Sequence, residues 1–498
     1  MYSRKLSQHR RIIISAGAAV ASLTVPLALA SSASAATTAQ FNKGHSVLTI
    51  FGDAGGNAIT VSRDSAGAIV VNGGAVRIHG SRATVRNVDR IVVFGRYGND
   101  RIALDETNGP LPSAVVRGGA GDDLLIGGSG ADRLYGGGDN DTLRGGGGDD
   151  LLDGGSGNDS LTGGGGSDQS LGGAGDDQLI WNPGDGSAVN EGGDGFDAVV
   201  VNGGGVGEAF TATANGTRVR FDRVSPLPFS LDIGSSERLL VNANGGDDSF
   251  AASGDLASLI ALAVDGGPGN DRLSSGNGND ELSGGPGDDV IDGNAGADSA
   301  ALGDGNDTFV WDAGDGSDTV EGQAGLDSLV FNGAAAAEKF DLSAHGSRAL
   351  LVRDVGRISM DLNGLERIET NALGGTDTVT VNDLSGTDVS VADVHLASAP
   401  GVFSGDGAAD SVVVNATDGP ERATITGDQK GGVTVVGLHT VVNVTGTDGP
   451  SDALTFNALD GDDTVDATGL APGVVGLTVN GGAGTDLLLG GPGTVLIQ

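Results

Sequence analysis

Seven aspartates, Asp123, Asp132, Asp141, Asp150, Asp159, Asp168 and Asp177, follow one another at intervals of nine residues. Five more, Asp271, Asp280, Asp289, Asp298 and Asp307, repeat the interval further along. A carboxylate at a constant period is a hard anionic oxygen delivered to the same place in every structural unit, and such ligands suit calcium. Zinc, copper and iron–sulfur clusters take the sulfur and nitrogen donors that a chain with no Cys and six His scarcely offers. Each Asp is sixth in a unit that, Ser275 and Leu302 apart, opens on glycine, as in GGAGDDLLI, GGSGADRLY and GGGDNDTLR from 118 to 144. Eighth in the unit is an apolar residue, Leu125, Leu134, Leu143, Leu152, Leu161 or Leu179, with Ser170 as the exception. A solvated, disordered linker gains nothing from keeping an acid and an apolar side chain in phase, so the register argues for a folded repeat.

The unit itself says what must position these carboxylates. Its first six residues make a turn in which glycines take φ > 0 and bring carbonyl oxygens toward a common point. Its last three make a minimal strand whose alternation sends Leu125 and its equivalents inward. The pattern is GGxGxDxUx, with U a large apolar residue, and over 118–180 and 266–310 the chain resembles the RTX, or haemolysin-type, calcium-binding repeat family. Departures are mild: Ser170 and Ala300 replace the apolar residue, and Ser275, Asn294 and Leu302 each replace a glycine.

That resemblance implies an all-β protein, a parallel β-roll or β-helix solenoid in which two nonapeptides make one 18-residue coil. It places each calcium between the turns of units two apart, which gives five complete sites in the first block and three in the second. The ligand set it implies in the first block is Gly118, Ala120, Gly121 and Asp123; Gly127, Ser129, Gly130 and Asp132; Gly136, Gly138 and Asp141; Gly145, Gly147 and Asp150; Gly154, Ser156 and Asp159; Gly163, Gly165 and Asp168; and Gly172, Ala174 and Asp177. In the second block it is Gly266, Pro268 and Asp271; Asn277 and Asp280; Gly284, Pro286 and Asp289; then Asp298 and Asp307. Strands of three residues bury little, so calcium (Ca2+) is expected to supply the rest of the stabilisation.

Composition narrows the function classes. Of 498 residues only 4% are aromatic and 92 are Gly, so a conventional large core is not expected over most of the chain. Asp and Glu number 66 against 27 Lys and Arg, a surface that repels nucleic acid and anionic membranes and attracts divalent cations. Residues 1–35 read as a secretory signal: Arg4, Lys5, Arg10 and Arg11, an apolar run from Ile12 to Ala30, then Ala33-Ser34-Ala35 as the cleavage site. A membrane anchor is the competing reading, and the small-residue site favours cleavage. Cleavage removes four basic residues and no acid, taking the net charge from −39 to −43. Export with no Cys rules out disulfide staples and points again to metal.

The expected organisation is a signal peptide (1–35), a β-rich module (36–117), the first nonapeptide block (118–180), a β-rich module (181–265), the second block (266–310), duplicated β-rich modules (311–480), and a terminal repeat and cap (481–498). Trp181-Asn-Pro-Gly-Asp-Gly-Ser returns as Trp311-Asp-Ala-Gly-Asp-Gly-Ser after 130 residues, with the two Trp expected to pack where a block ends. Acids recur in phase outside the blocks too, with 18 residues from Asp100 to Gly118, from Asp248 to Gly266 and from Asp463 to Gly481. The segments 314–318 and 322–327 offer additional sites, whereas Val495 stands where the last unit should carry its acid.

Catalytic constellations are missing from the sequence. His9, His45, His79, His345, His395 and His439 are scattered, there is no G-x-S-x-G, and the Asp doublets sit in the metal-loop phase. The reading is therefore a secreted, non-enzymatic calcium-binding repeat protein with a structural role at a cell surface or in a matrix. Its expected partners are calcium ions and a surface polysaccharide or protein, with no nucleic acid and no membrane span. A carbohydrate-active epimerase or lyase-like protein, and an adhesin, are the alternatives; few aromatics and no basic cluster in the sequence weigh against the first.

Overall fold

The computed structural model describes residues 36–402, 404–430 and 432–498, so the expected signal peptide lies outside the described residues. Alternation of period two runs through segment after segment: VLTIF at Val47–Phe51 buries Leu48 and Ile50 and turns Val47, Thr49 and Phe51 outward. Such segments pair as strands, and successive strands pass alternately into two long, mostly parallel sheets, one of 24 strands. In one sheet Val116, Leu134 and Leu152 stand in register, and in the other Leu125, Leu143, Leu161 and Leu179. Partners along the blocks are therefore 18 residues apart, the coil length expected from the repeat. The described residues form one compact unit, and strand pairing crosses each expected boundary between modules from 36 onward.

Two expectations about this framework need correction. Leu124–Ile126, Arg272–Ser274 and Val290–Asp292 keep to three residues, but the other nonapeptide strands are longer, as in Thr142–Gly147, because the backbone resumes pairing after the position-one glycine (Gly146 with Gly164, Gly147 with Gly165). The core is also larger than the composition suggested. Inside the first block it is a seam of leucines, Leu125 to Leu161, each 0% exposed, and from Leu179 to Leu488, the second block included, a second cluster takes over. That cluster holds Trp181, Phe210, Phe221, Phe250, Trp311, Phe331 and Phe340. A narrow interior needs few aromatics when most of the described ones are placed inside it.

The modules between blocks are not simple coils. Ala209–Asn215, Arg218–Ser225 and Phe229–Gly234 form an antiparallel excursion, and Lys339–His345, Arg348–Arg353 and Ile358–Asn363 form its duplicate. A third is built from Arg422–Asp428, Gly432–Val436 and Val441–Thr445. Val219 and Phe221 point inward as their alternation implies. Trp181 and Trp311 are buried and stack on Phe229 and Phe331, with centroids 3.8 and 3.9 Å apart, which leaves neither indole free to stack on a sugar.

Candidate metal centre

Most nonapeptide turns are shaped by glycines at positions one, two and four. In most turns the residues at positions two and four take left-handed backbone angles, for example Gly119 (φ 127°) and Gly121 (φ 112°), which glycine adopts most cheaply; Gly128, Gly130, Gly276 and Gly278 do not. In the first block the position-one glycine is favoured for another reason. A Cβ on Gly118 would lie 2.0 Å from Asp123 Oδ2 and 2.9 Å from the carbonyl oxygen of Gly136. On Gly136 it would meet Asp141 Oδ2 at 2.2 Å and the Gly154 carbonyl at 2.6 Å. The carboxylate of one turn and a carbonyl of the next coil thus crowd the same point.

The position-six aspartates are buried, none more than 4% exposed. They form two ladders in the first block: Asp123, Asp141 and Asp159 donate their backbone N–H to Oδ1 of Asp141, Asp159 and Asp177 at 2.8, 2.7 and 2.7 Å. Asp132 and Asp150 do the same toward Asp150 and Asp168. In the second block Asp271 donates to Asp289, Asp289 to Asp307 and Asp280 to Asp298. This bond uses one carboxylate oxygen. Oδ2 of Asp123, Asp141, Asp150, Asp159, Asp177, Asp271, Asp289, Asp298 and Asp307, and Oδ1 of Asp280, are buried without a partner among the described residues. Asp132 differs, since its Oδ2 accepts the Gly128 N–H.

Buried, unpaired carboxylate oxygens are costly unless the group is neutralised. Burial, reinforced by the neighbouring carboxylates, pushes the acid groups of Asp141 and Asp298 up to about 8 and those of Asp150 and Asp289 to about 7. A proton or a cation relieves the strain in each turn. The donor set is all oxygen, as a hard cation requires. No group of three or more Asp, Glu, His or Cys side chains able to hold a metal occurs among the described residues, so an ion here depends on backbone carbonyls as well. Some expected carbonyl ligands already accept one hydrogen bond: Ala120, Gly138, Ala174 and Pro286 take the N–H of Gly98, Gly121, Gly157 and Gly269. The Asn277 side chain is engaged by the 255–257 loop.

The same six-residue turn ending in an acid recurs well outside the blocks. Asp100, Asp197, Asp248, Asp318, Asp327, Asp377 and Asp463 are buried with one carboxylate oxygen unpartnered. Two turns meet their acid with an arginine. In GGGVGE (203–208) and GAAAAE (333–338) the sixth residue is Glu, and each is met by an arginine fifteen residues later. Arg223 Nη1 donates to Glu208 Oε1 at 2.6 Å, and Arg353 Nε donates to Glu338 Oε1 at 2.8 Å. The second oxygens accept the N–H groups of Gly204 and Ala334. Both guanidinium groups lie over indole rings, Arg223 on Trp181 and Arg353 on Trp311. Sequence reasoning missed this pair; the shared fifteen-residue spacing was its only local signal. It also missed an exposed ladder at position five, where Asn140, Asn158 and Asp176 donate their N–H to the side-chain oxygen of Asp122, Asn140 and Asn158 one coil earlier.

Residues 115–143, 144–179, 265–300, 274–309, 312–330 and 478–496 match the family model of the RTX calcium-binding nonapeptide repeat. These are RTX calcium-binding repeats. The RTX match at 312–330 takes in Asp318 and Asp327, and that at 478–496 takes in Asp486, whereas Glu208 and Glu338 fall outside every RTX stretch. The RTX stretches are thus concentrated where a carboxylate oxygen lacks a protein partner. No curated protein matches the chain. No helix among the described residues is long and apolar enough to cross a membrane.

Proposed function

We propose that this calcium-binding β-roll is a secreted, non-enzymatic structural element of a cell surface or matrix, whose stiffness follows extracellular calcium. The observation that carries the reading is the column of buried aspartate oxygens left without a partner in the RTX turns. The position-six aspartates, with carbonyls at positions one and three, would hold the ions, and calcium would supply the positive charge that the turns lack. Secretion is supported by the Arg-led apolar segment at 1–35 and by the extracellular setting typical of RTX proteins, where calcium is plentiful. The non-enzymatic reading rests on side chains already committed to structure: His395 Nδ1 pairs with Thr445, and His439 Nε2 with the Thr387 carbonyl.

Calorimetric titration of the full chain with calcium, followed in parallel by circular dichroism, tests it. Uptake of several ions per chain with a gain of β signal is expected. An unchanged spectrum between chelator and millimolar calcium overturns it.

A further inference from the structure

Charge is divided unevenly along the roll. Residues 36–117 carry nine basic and six acidic residues, whereas 118–498 carry 14 and 60. At the N-terminal end of the 24-stranded sheet, the outward residues of four neighbouring strands fall into two columns. Phe51, Phe94, Arg117 and Tyr135 stand side by side in one, and Thr49, Val92, Val115 and Arg133 in the other. No acid occurs in either column before Asp153 on the next strand.

The aromatic rings of this face hold arginines. Phe51 and Phe94 stack at 5.2 Å and 9°, the Arg96 guanidinium lies 5.2 Å from the Phe51 ring, and that of Arg117 lies 4.2 Å from the Tyr135 ring. Arg96, Arg117 and Arg133 are exposed, and none forms an ion pair with a described residue. A guanidinium stacked on a ring keeps its N–H edge free and loses little freedom on binding an anion in the plane of that edge. Successive strands are about 4.8 Å apart, so the face is a rigid array of anion-binding groups. Charges beyond about 8 Å are screened at physiological ionic strength, so the acidic body of the roll does not cancel it.

We infer that this face binds an extended anionic glycan carrying carboxylate or sulfate groups. Rings already stacked on one another and on guanidinium groups are poor platforms for nucleic-acid bases, which need free aromatic faces. The neighbouring outward residues Thr38, Gln40 and Thr49 are neutral hydrogen-bonding groups suited to sugar hydroxyls. The inference goes beyond the calcium reading, because its contacts are arginine side chains and not the acidic turns.

The test uses the full chain in millimolar calcium, with dextran sulfate, uncharged dextran and poly(dT) as probes. Binding of dextran sulfate but not dextran is expected. The triple variant Arg96→Gln/Arg117→Gln/Arg133→Gln should weaken it roughly ten-fold or more. A charge-matched control, Arg272→Gln/Arg357→Gln/Arg422→Gln, should change it less than about two-fold. Circular dichroism and calcium uptake on the same samples separate loss of the face from loss of the roll. Equal losses in both triple variants, binding carried by calcium bridges that survives the first triple, or tighter binding of poly(dT) overturns the inference.

Discussion

The first RTX block and the module that follows it share one pair of sheets but solve the same electrostatic problem differently. In the block, Asp141 is buried with one oxygen unpaired, and the interior beside it is a single leucine per unit. In the module, Glu208 occupies the equivalent turn position, but Arg223 neutralises it and stacks on Trp181 and Phe229 above a core of Phe210, Phe221 and Phe250. The block leaves its countercharge to solvent; at Glu208 the module carries its own, although its Asp197 and Asp248 keep an unpartnered oxygen as the block does. The difference teaches that the roll is built from turns of unequal dependence on calcium, and that the arginine-neutralised turns are the ones packed against an indole.

The largest effect should come from removing calcium. In EGTA the amides of 118–180 and 266–310 should lose hydrogen-exchange protection, while Trp181 and Trp311 keep the blue-shifted emission of buried indoles. Simultaneous loss of both signals would erase the contrast. Next, Arg353→Met strands the buried carboxylate of Glu338 and should cost about 3–5 kcal/mol of unfolding free energy, read by denaturant titration of Trp311 fluorescence. The pair Glu338→Gln/Arg353→Met should recover part of it. Asp141→Ala removes the acceptor of the Asp123 N–H and should cost the calcium-free block about 1–3 kcal/mol while lowering calcium stoichiometry.

A pH series sharpens the same contrast. Burial raises the Asp141 and Asp298 acids to about 8, above their unfolded value near 4. Without calcium, the stability contributed by these groups is therefore full below about pH 4 and is lost as pH rises through about 8. With calcium the trend should reverse, since the ion binds the ionised form. Midpoints of unfolding in EGTA and in calcium at pH 5 and pH 8 measure this; parallel slopes count against ion binding at these carboxylates. The smallest effect belongs to Asp122→Ala on the exposed position-five ladder, at most about 0.5 kcal/mol in a thermal melt.

Much of this was legible in the chain before any fold. The nine-residue phase of Asp123 to Asp177 and of Leu125 to Leu179 is local information, because a repeat that stacks on itself places each residue beside its counterpart one coil away. The parallel register, the leucine seam and the aspartate column all follow from that translation. What the phase could not carry was anything that leaves the translation: the antiparallel excursions at 209–234 and 339–363, and the ion pairs that close when those excursions fold back.

Tertiary structure alone also decided which face each duplicate occupies. Trp311 lies on a strand of the 24-stranded sheet and Trp181 on a strand of the other, so the two copies stand on opposite faces. Sequence determined the period and the chemistry of each turn, because those are set within nine residues. Pairing across coils decided which charges are met by protein and which are left for calcium, because an arginine fifteen residues away reaches a glutamate only when the intervening hairpin brings the chain back.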